Sequence, residues 1–126
     1  MKIRSAFTMA TAFLVALTLA TPVQAKKLNS YDGVNYFEGH KETYYNLSMN
    51  RIYSKADKNF GSHHKKWIRD DGVKMYGPYI VVAACFDIHP YGSNVETSLG
   101  TGIVLDTGAF AISNPEQIDV AVSWGN

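Results

Sequence analysis

The stretch Tyr79-Ile80-Val81-Val82-Ala83-Ala84-Cys85-Phe86 is a continuous apolar run of strand length, preceded by Gly77-Pro78 and followed by a turn at Pro90 to Ser93. A half-buried strand would alternate apolar with polar residues, so an unbroken run reads as a strand buried on both faces. Around it the chain divides into short β-prone pieces rich in Val, Ile, Thr and Tyr: Glu42–Asn46, Val73–Tyr76, Val95–Thr97, Ile103–Asp106 and Ile118–Trp124. In the last of these, Ile118, Val120, Val122 and Trp124 share one face, and Asp119, Ala121 and Ser123 share the other. Between the pieces stand turn signals such as Asp70-Asp71-Gly72. Residues 26–33 read as a loose leader. Residues 48–71 read as a long loop with one short strand or helical turn, its aromatics Tyr53, Phe60 and Trp67 tethering it to the core or lining a groove. Ser113-Asn114-Pro115-Glu116 has the cap, proline and acid order of a helix start, with room only for a turn. The expectation is an all-β domain, a small closed or nearly closed barrel over residues 40–126 behind an N-terminal leader at 26–39.

Residues 1–25 read as a secretory signal peptide. Lys2 and Arg4 form a positive start, Ala6 to Thr21 carries no charge, and Val23 and Ala25 supply the small residues of a cleavage site. The chain is therefore expected outside the cell or in the cell wall, with no membrane association after cleavage. Without Lys2 and Arg4 the twelve basic residues become ten against eleven acids. That near-neutral balance gives no footprint for nucleic acid. Lys65-Lys66 with His63-His64 reads as a solvated loop. Cys85 is the only cysteine, so no intrachain disulfide forms, and its apolar setting reads as a buried structural thiol. The four histidines lack metal-ligand spacing.

Two carboxylates sit in apolar, β-branched surroundings, Asp106 in Val104-Leu105-Asp106-Thr107-Gly108 and Asp119 in Ile118-Asp119-Val120. A carboxylate there is costly unless it is hydrogen-bonded or protonated, and a raised carboxyl pKa is what general acid/base chemistry uses. Asp87 ends the apolar run in a similar way. Convergence of these strand-end acids at one rim would raise at least one pKa. In the structural alternative, Asp106 caps its turn and Asp119 bonds backbone N–H groups.

Pro90-Tyr91-Gly92-Ser93, Gly102-Ile103-Val104-Leu105-Asp106-Thr107-Gly108 and Ile118-Asp119-Val120, in this order, resemble the 3D domain, a family named for three aspartates. Thr43-Tyr44-Tyr45 is similar to the family's first-strand pattern. The resemblance implies a small double-psi β-barrel like the catalytic core of membrane-bound lytic transglycosylase A. It implies peptidoglycan glycan strands as substrate and no metal or organic cofactor. Asp119 would be the acid/base and Asp106 its partner. The family's first aspartate falls at Cys85 here, which leaves Asp87, two residues later, as the third candidate.

Two other readings are open at this stage. A small exported barrel could bind peptidoglycan through aromatic side chains without cleaving it. Leu105-Asp106-Thr107-Gly108 also matches a retroviral-type aspartic protease monomer, in which two such motifs meet across a dimer. Only 18 residues follow Gly108, too few for the strands and flap of such an enzyme. The oligomeric state is not legible from the sequence.

Overall fold

The apolar run forms β5 (Tyr79–Ala83), and this strand organises the sheet. The computed structural model describes residues 26–125; the expected signal segment, residues 1–25, lies outside the described residues. In chain order the other elements are β1 (Val34–Phe37), β2 (His40–Tyr45), α1 (Asn50–Phe60), β3 (Lys66–Ile68) and β4 (Lys74–Tyr76). After β5 come β6 (Asn94–Thr97), β7 (Gly100–Asp106), α2 (Phe110–Ser113) and β8 (Ile118–Ala121). The fold is all-β with two short helices. No helix among the described residues is long and apolar enough to cross a membrane.

β5 has three partners. β7 pairs with it in parallel from Ile80 to Ala83 and takes up one edge. The opposite edge is divided: β4 pairs antiparallel at Tyr79 and Ile80, and β8 pairs antiparallel at Val82 and Ala83. A Val73–Val122 bridge joins the two strands where they meet. The rest of the sheet extends from the two ends of that divided edge as β8-β2-β1 and as β4-β3, with β2 parallel to β8, and β6 is antiparallel to β7. The sheet is not closed, unlike the barrel expected, because β1, β3 and β6 each have a single partner.

Alternation sorts the apolar residues into two cores. Ile80, Val82 and Ala84 join Val104, Ile118, Val120 and Val122 in one, with Leu28, Val73 and Met75. Val81, Ile103, Leu105 and Ala121 join Tyr76 in the other, which is covered by Met49 and Ala56. The run is apolar without a break because both its faces are inside. Full burial of one such side chain is worth about 1.5–3 kcal/mol.

Three local expectations are revised. Residues 48–71 hold a three-turn helix as well as β3. Met49, Ile52, Tyr53, Ala56 and Phe60 follow helical spacing, and Gly61 ends the helix in the left-handed conformation at φ 63°. Asp57 on this helix accepts hydrogen bonds from Tyr76 Oη at 2.8 Å and from Lys66 Nζ, which fastens α1 to β4 and β3. Ser113-Asn114-Pro115 ends a helix instead of starting one, since Asn114 is the C-cap of α2 and the proline follows it. Residues 26–33, read as a loose leader, carry no strand or helix but bury Leu28, and the rest of the leader to residue 39 contributes β1.

That N-terminal segment is held by Glu42, which is fully buried. Its carboxylate accepts from Asn35 Nδ2 at 3.0 Å, Ser98 Oγ at 2.6 Å and the Ser98 backbone N–H at 2.8 Å. Asn35 Nδ2 also donates to the Lys26 carbonyl, and Leu28 N–H donates to Ser98 Oγ. Glu42→Ala leaves the Asn35 amide and both Ser98 donors without their acceptor and should cost about 1–3 kcal/mol, read as a lower urea midpoint with an unchanged m-value.

Candidate active site

β2, β8, β5 and β7 lie side by side, and one row across them is Thr43, Asp119, Ala83 and Asp106, each in register with the next. In-register residues share a face, so both aspartates and the threonine stand on the side of the sheet that α1 covers. Asp106 reaches that row through a bulge: Val82 pairs with Val104, but Ala83 pairs with Asp106, so Leu105 is the extra residue. A bulge re-aims the side chain that follows it. Ala83 pairs with both aspartates, whose backbones are two strand spacings apart, roughly 10 Å.

The carboxylates are held differently. Asp106 accepts from Tyr45 Oη at 3.0 Å on one oxygen and from the Thr107 backbone N–H at 2.9 Å on the other. Tyr45 pairs with Ala121 on β8, and the small side chains of Ala121 and Ala83 leave space for its ring to reach β7. Asp119 accepts one hydrogen bond, from Thr43 Oγ1 at 3.0 Å. Gln117 Nε2 donates to the same Thr43 oxygen at 2.7 Å, so the threonine proton is directed at Asp119. The second Asp119 oxygen has no partner among the described residues, yet it is not sealed from solvent.

Burial pushes the Asp119 carboxyl above its ordinary range; the Thr43 hydrogen bond partly opposes this, and the charge of Asp106 adds to the rise. Burial, followed by the Asp106 charge and hydrogen bond, pushes the Tyr45 phenol far above its usual value, so it remains a donor. Asp106 also lines an open cleft of about 860 Å³, walled by Leu105 on the sheet side, by Leu47 and Ser48, and by α1 through Arg51, Ile52 and Lys55. Among the described residues no group of three or more His, Cys, Asp or Glu is placed to hold a metal ion.

Asp106 and Asp119 are thus brought to one row, whereas Asp87 lies beyond it. β5 ends at Ala83, and Asp87 is exposed in the turn over Phe86–Ile88, with no hydrogen bond or ion pair to another described residue. Strand parity therefore does not carry from position 85 to position 87. Cys85 is half-buried. Thr43 and Tyr45 gain a role at the carboxylates that their alternation on β2 made legible, since both share a strand face. Gln117 carried no such signal. Comparison of the chain with family models, with curated proteins and with solved structures finds no match.

Because the folded-state pKa of Asp119 is raised, its ionisation opposes folding: the group favours the fold fully in acid and loses that contribution as pH rises through the folded value. Asp119→Asn retains an acceptor for Thr43 and should raise the melting temperature by a few degrees at pH 7. Partial exposure limits the gain. The advantage should vanish near pH 3 in paired thermal melts.

Proposed function

We propose that this chain is an exported enzyme that cleaves peptidoglycan glycan strands by a lytic transglycosylase reaction. Asp119 acts first as acid and then as base, and Asp106 is its supporting carboxylate. The observation that carries the reading is the pair of aspartates bracketing Ala83, one raised in pKa by burial and the other facing a cleft of about 860 Å³. A cleft of this order suits a short length of polysaccharide. The order of Pro90-Tyr91-Gly92-Ser93, Asp106-Thr107-Gly108 and Ile118-Asp119-Val120 supplies the substrate class. A double-psi arrangement, open rather than closed, belongs to the same reading and is supported by the parallel pairs β2–β8 and β5–β7.

In the reaction the bond from the muramic acid anomeric carbon to the glucosamine O4 breaks, and protonated Asp119 delivers its proton to O4. The Asp119 carboxylate then removes the proton of the muramic 6-hydroxyl as O6 bonds to the anomeric carbon. The proton count closes and no water is consumed, so the carboxylate spacing of hydrolytic glycosidases is not required. The Thr43 proton fixes the orientation of Asp119, and the negative charge of Asp106 favours the protonated acid.

Digestion of purified peptidoglycan should yield anhydromuropeptides, identified by mass spectrometry, and Asp119→Asn should lower the rate by about a hundredfold or more. The rate should fall as pH rises through the Asp119 pKa. Asp106→Asn removes a raising influence and should move that limb to lower pH. Thr43→Val removes a lowering one and should move it to higher pH. Binding of glycan without any product between pH 4 and pH 8 would replace this reading with that of a non-catalytic glycan-binding module.

A further inference from the structure

Arg51 and Lys55 are four residues apart on α1, so they stand on one helix face, and both line the cleft whose opposite wall carries Asp106. Both are exposed, and neither has a carboxylate within ion-pair distance among the described residues. Lys66 is engaged with Asp57, Arg69 with Asp71, and Lys74 with Asn46 Oδ1 and the Leu47 carbonyl; Lys27, Lys41 and Lys58 are without an ion pair among the described residues but do not line the cleft. Lys55 Nζ is 5.3 Å from the centroid of the Tyr91 ring, within cation–π range. The first turn of α1 adds to the positive wall: no side chain caps it, it contains no acidic residue, and Asn50, Arg51 and Ile52 border the cleft.

We propose that this wall binds a carboxylate of the glycan and so restricts the cleft to carboxylate-bearing strands over neutral ones. The inference rests on the glycan-cleaving reading and names the substrate feature that the same site selects. The charge layout also sets an orientation. Asp106 repels an anion and the α1 wall attracts one, so the carboxylate seats on α1 and the uncharged glycosidic bond lies towards the Asp106 wall. In peptidoglycan that carboxylate has two sources, the lactyl group of muramic acid in strands stripped of peptide, or the stem peptide where it is present.

The test measures binding by calorimetry on the Asp119→Asn protein, so cleavage does not enter, and compares it with the same protein carrying Arg51→Gln and Lys55→Gln. The probes are N-acetylglucosamine hexamer, glycan strands stripped of peptide, and strands with intact stems. The added substitutions should weaken binding of a carboxylate-bearing probe by about tenfold or more and leave the neutral hexamer unchanged. A loss on stripped strands identifies the lactyl carboxylate; a loss confined to peptide-bearing strands identifies the stem. Equal binding of all probes by both proteins, equal weakening on all three, or no binding of any strand overturns the proposal. Because anhydromuropeptide formation is scored separately on wild type, cleavage without charge selectivity defeats this inference alone. Selectivity without cleavage defeats only the enzymatic reading.

Discussion

The divided edge of β5 is the constraint on which the molecule depends. A strand offers two hydrogen-bonding edges. Here one is given wholly to β7, while the other is shared end to end by β4 and β8. Because β8 occupies only the last two residues of that edge, Asp119 falls opposite Ala83. Because β7 carries one extra residue at the same level, Asp106 falls opposite Ala83 from the other side. A one-residue slip of β8 would turn Asp119 into the core of Ile80, Val82 and Val104 and move Ile118, Val120 and Val122 to the opposite face. The burial that holds the sheet together therefore also fixes the meeting of the two acids.

Size complementarity then determines the electrostatics. Ala83 and Ala121 leave a low floor in the otherwise bulky Val and Ile sheet, and Tyr45 lies across it to reach Asp106. Larger residues at either alanine would fill the space that Tyr45 crosses. The tyrosine donates to Asp106, while the Asp119 carboxyl is raised by burial and by the charge of Asp106.

Much of this arrangement was legible before the structure. The unbroken run 79–86 announced a central strand because both its faces are covered, and the alternation at 118–124 placed Asp119 opposite the apolar stripe. α1 was missed because its apolar residues are spread among lysines, asparagines and serines and no capping residue marks its start. The pattern Met49, Ile52, Tyr53, Ala56 was present but sparse. The bulge at Leu105 and the divided edge of β5 depend on contacts between distant segments, which no local pattern encodes. Parity failed at Asp87 because the run stays apolar to Phe86 while the strand ends at Ala83, where β5 has met its last partners. The closed barrel was inferred from many short strands, yet strand count does not determine whether the outermost strands meet.

A buried carboxylate, Glu42, and a half-buried one, Asp119, are held differently. Glu42 is fully enclosed and accepts three hydrogen bonds from Asn35 and Ser98, so its charge is compensated within the interior and its neighbours are immobilised. Asp119 accepts a single hydrogen bond from Thr43, faces a second carboxylate, and keeps one oxygen free beside solvent. A fold selected for stability alone would give Asp119 the partners that Glu42 has, or replace it with an apolar residue, as its β8 neighbours Ile118 and Val120 are. An under-compensated acid suits proton transfer, because burial with few donors favours its protonated form. The fold gives Glu42 three hydrogen-bond donors and Asp119 one among the described residues, and that asymmetry is what the proposed role of Asp119 rests on.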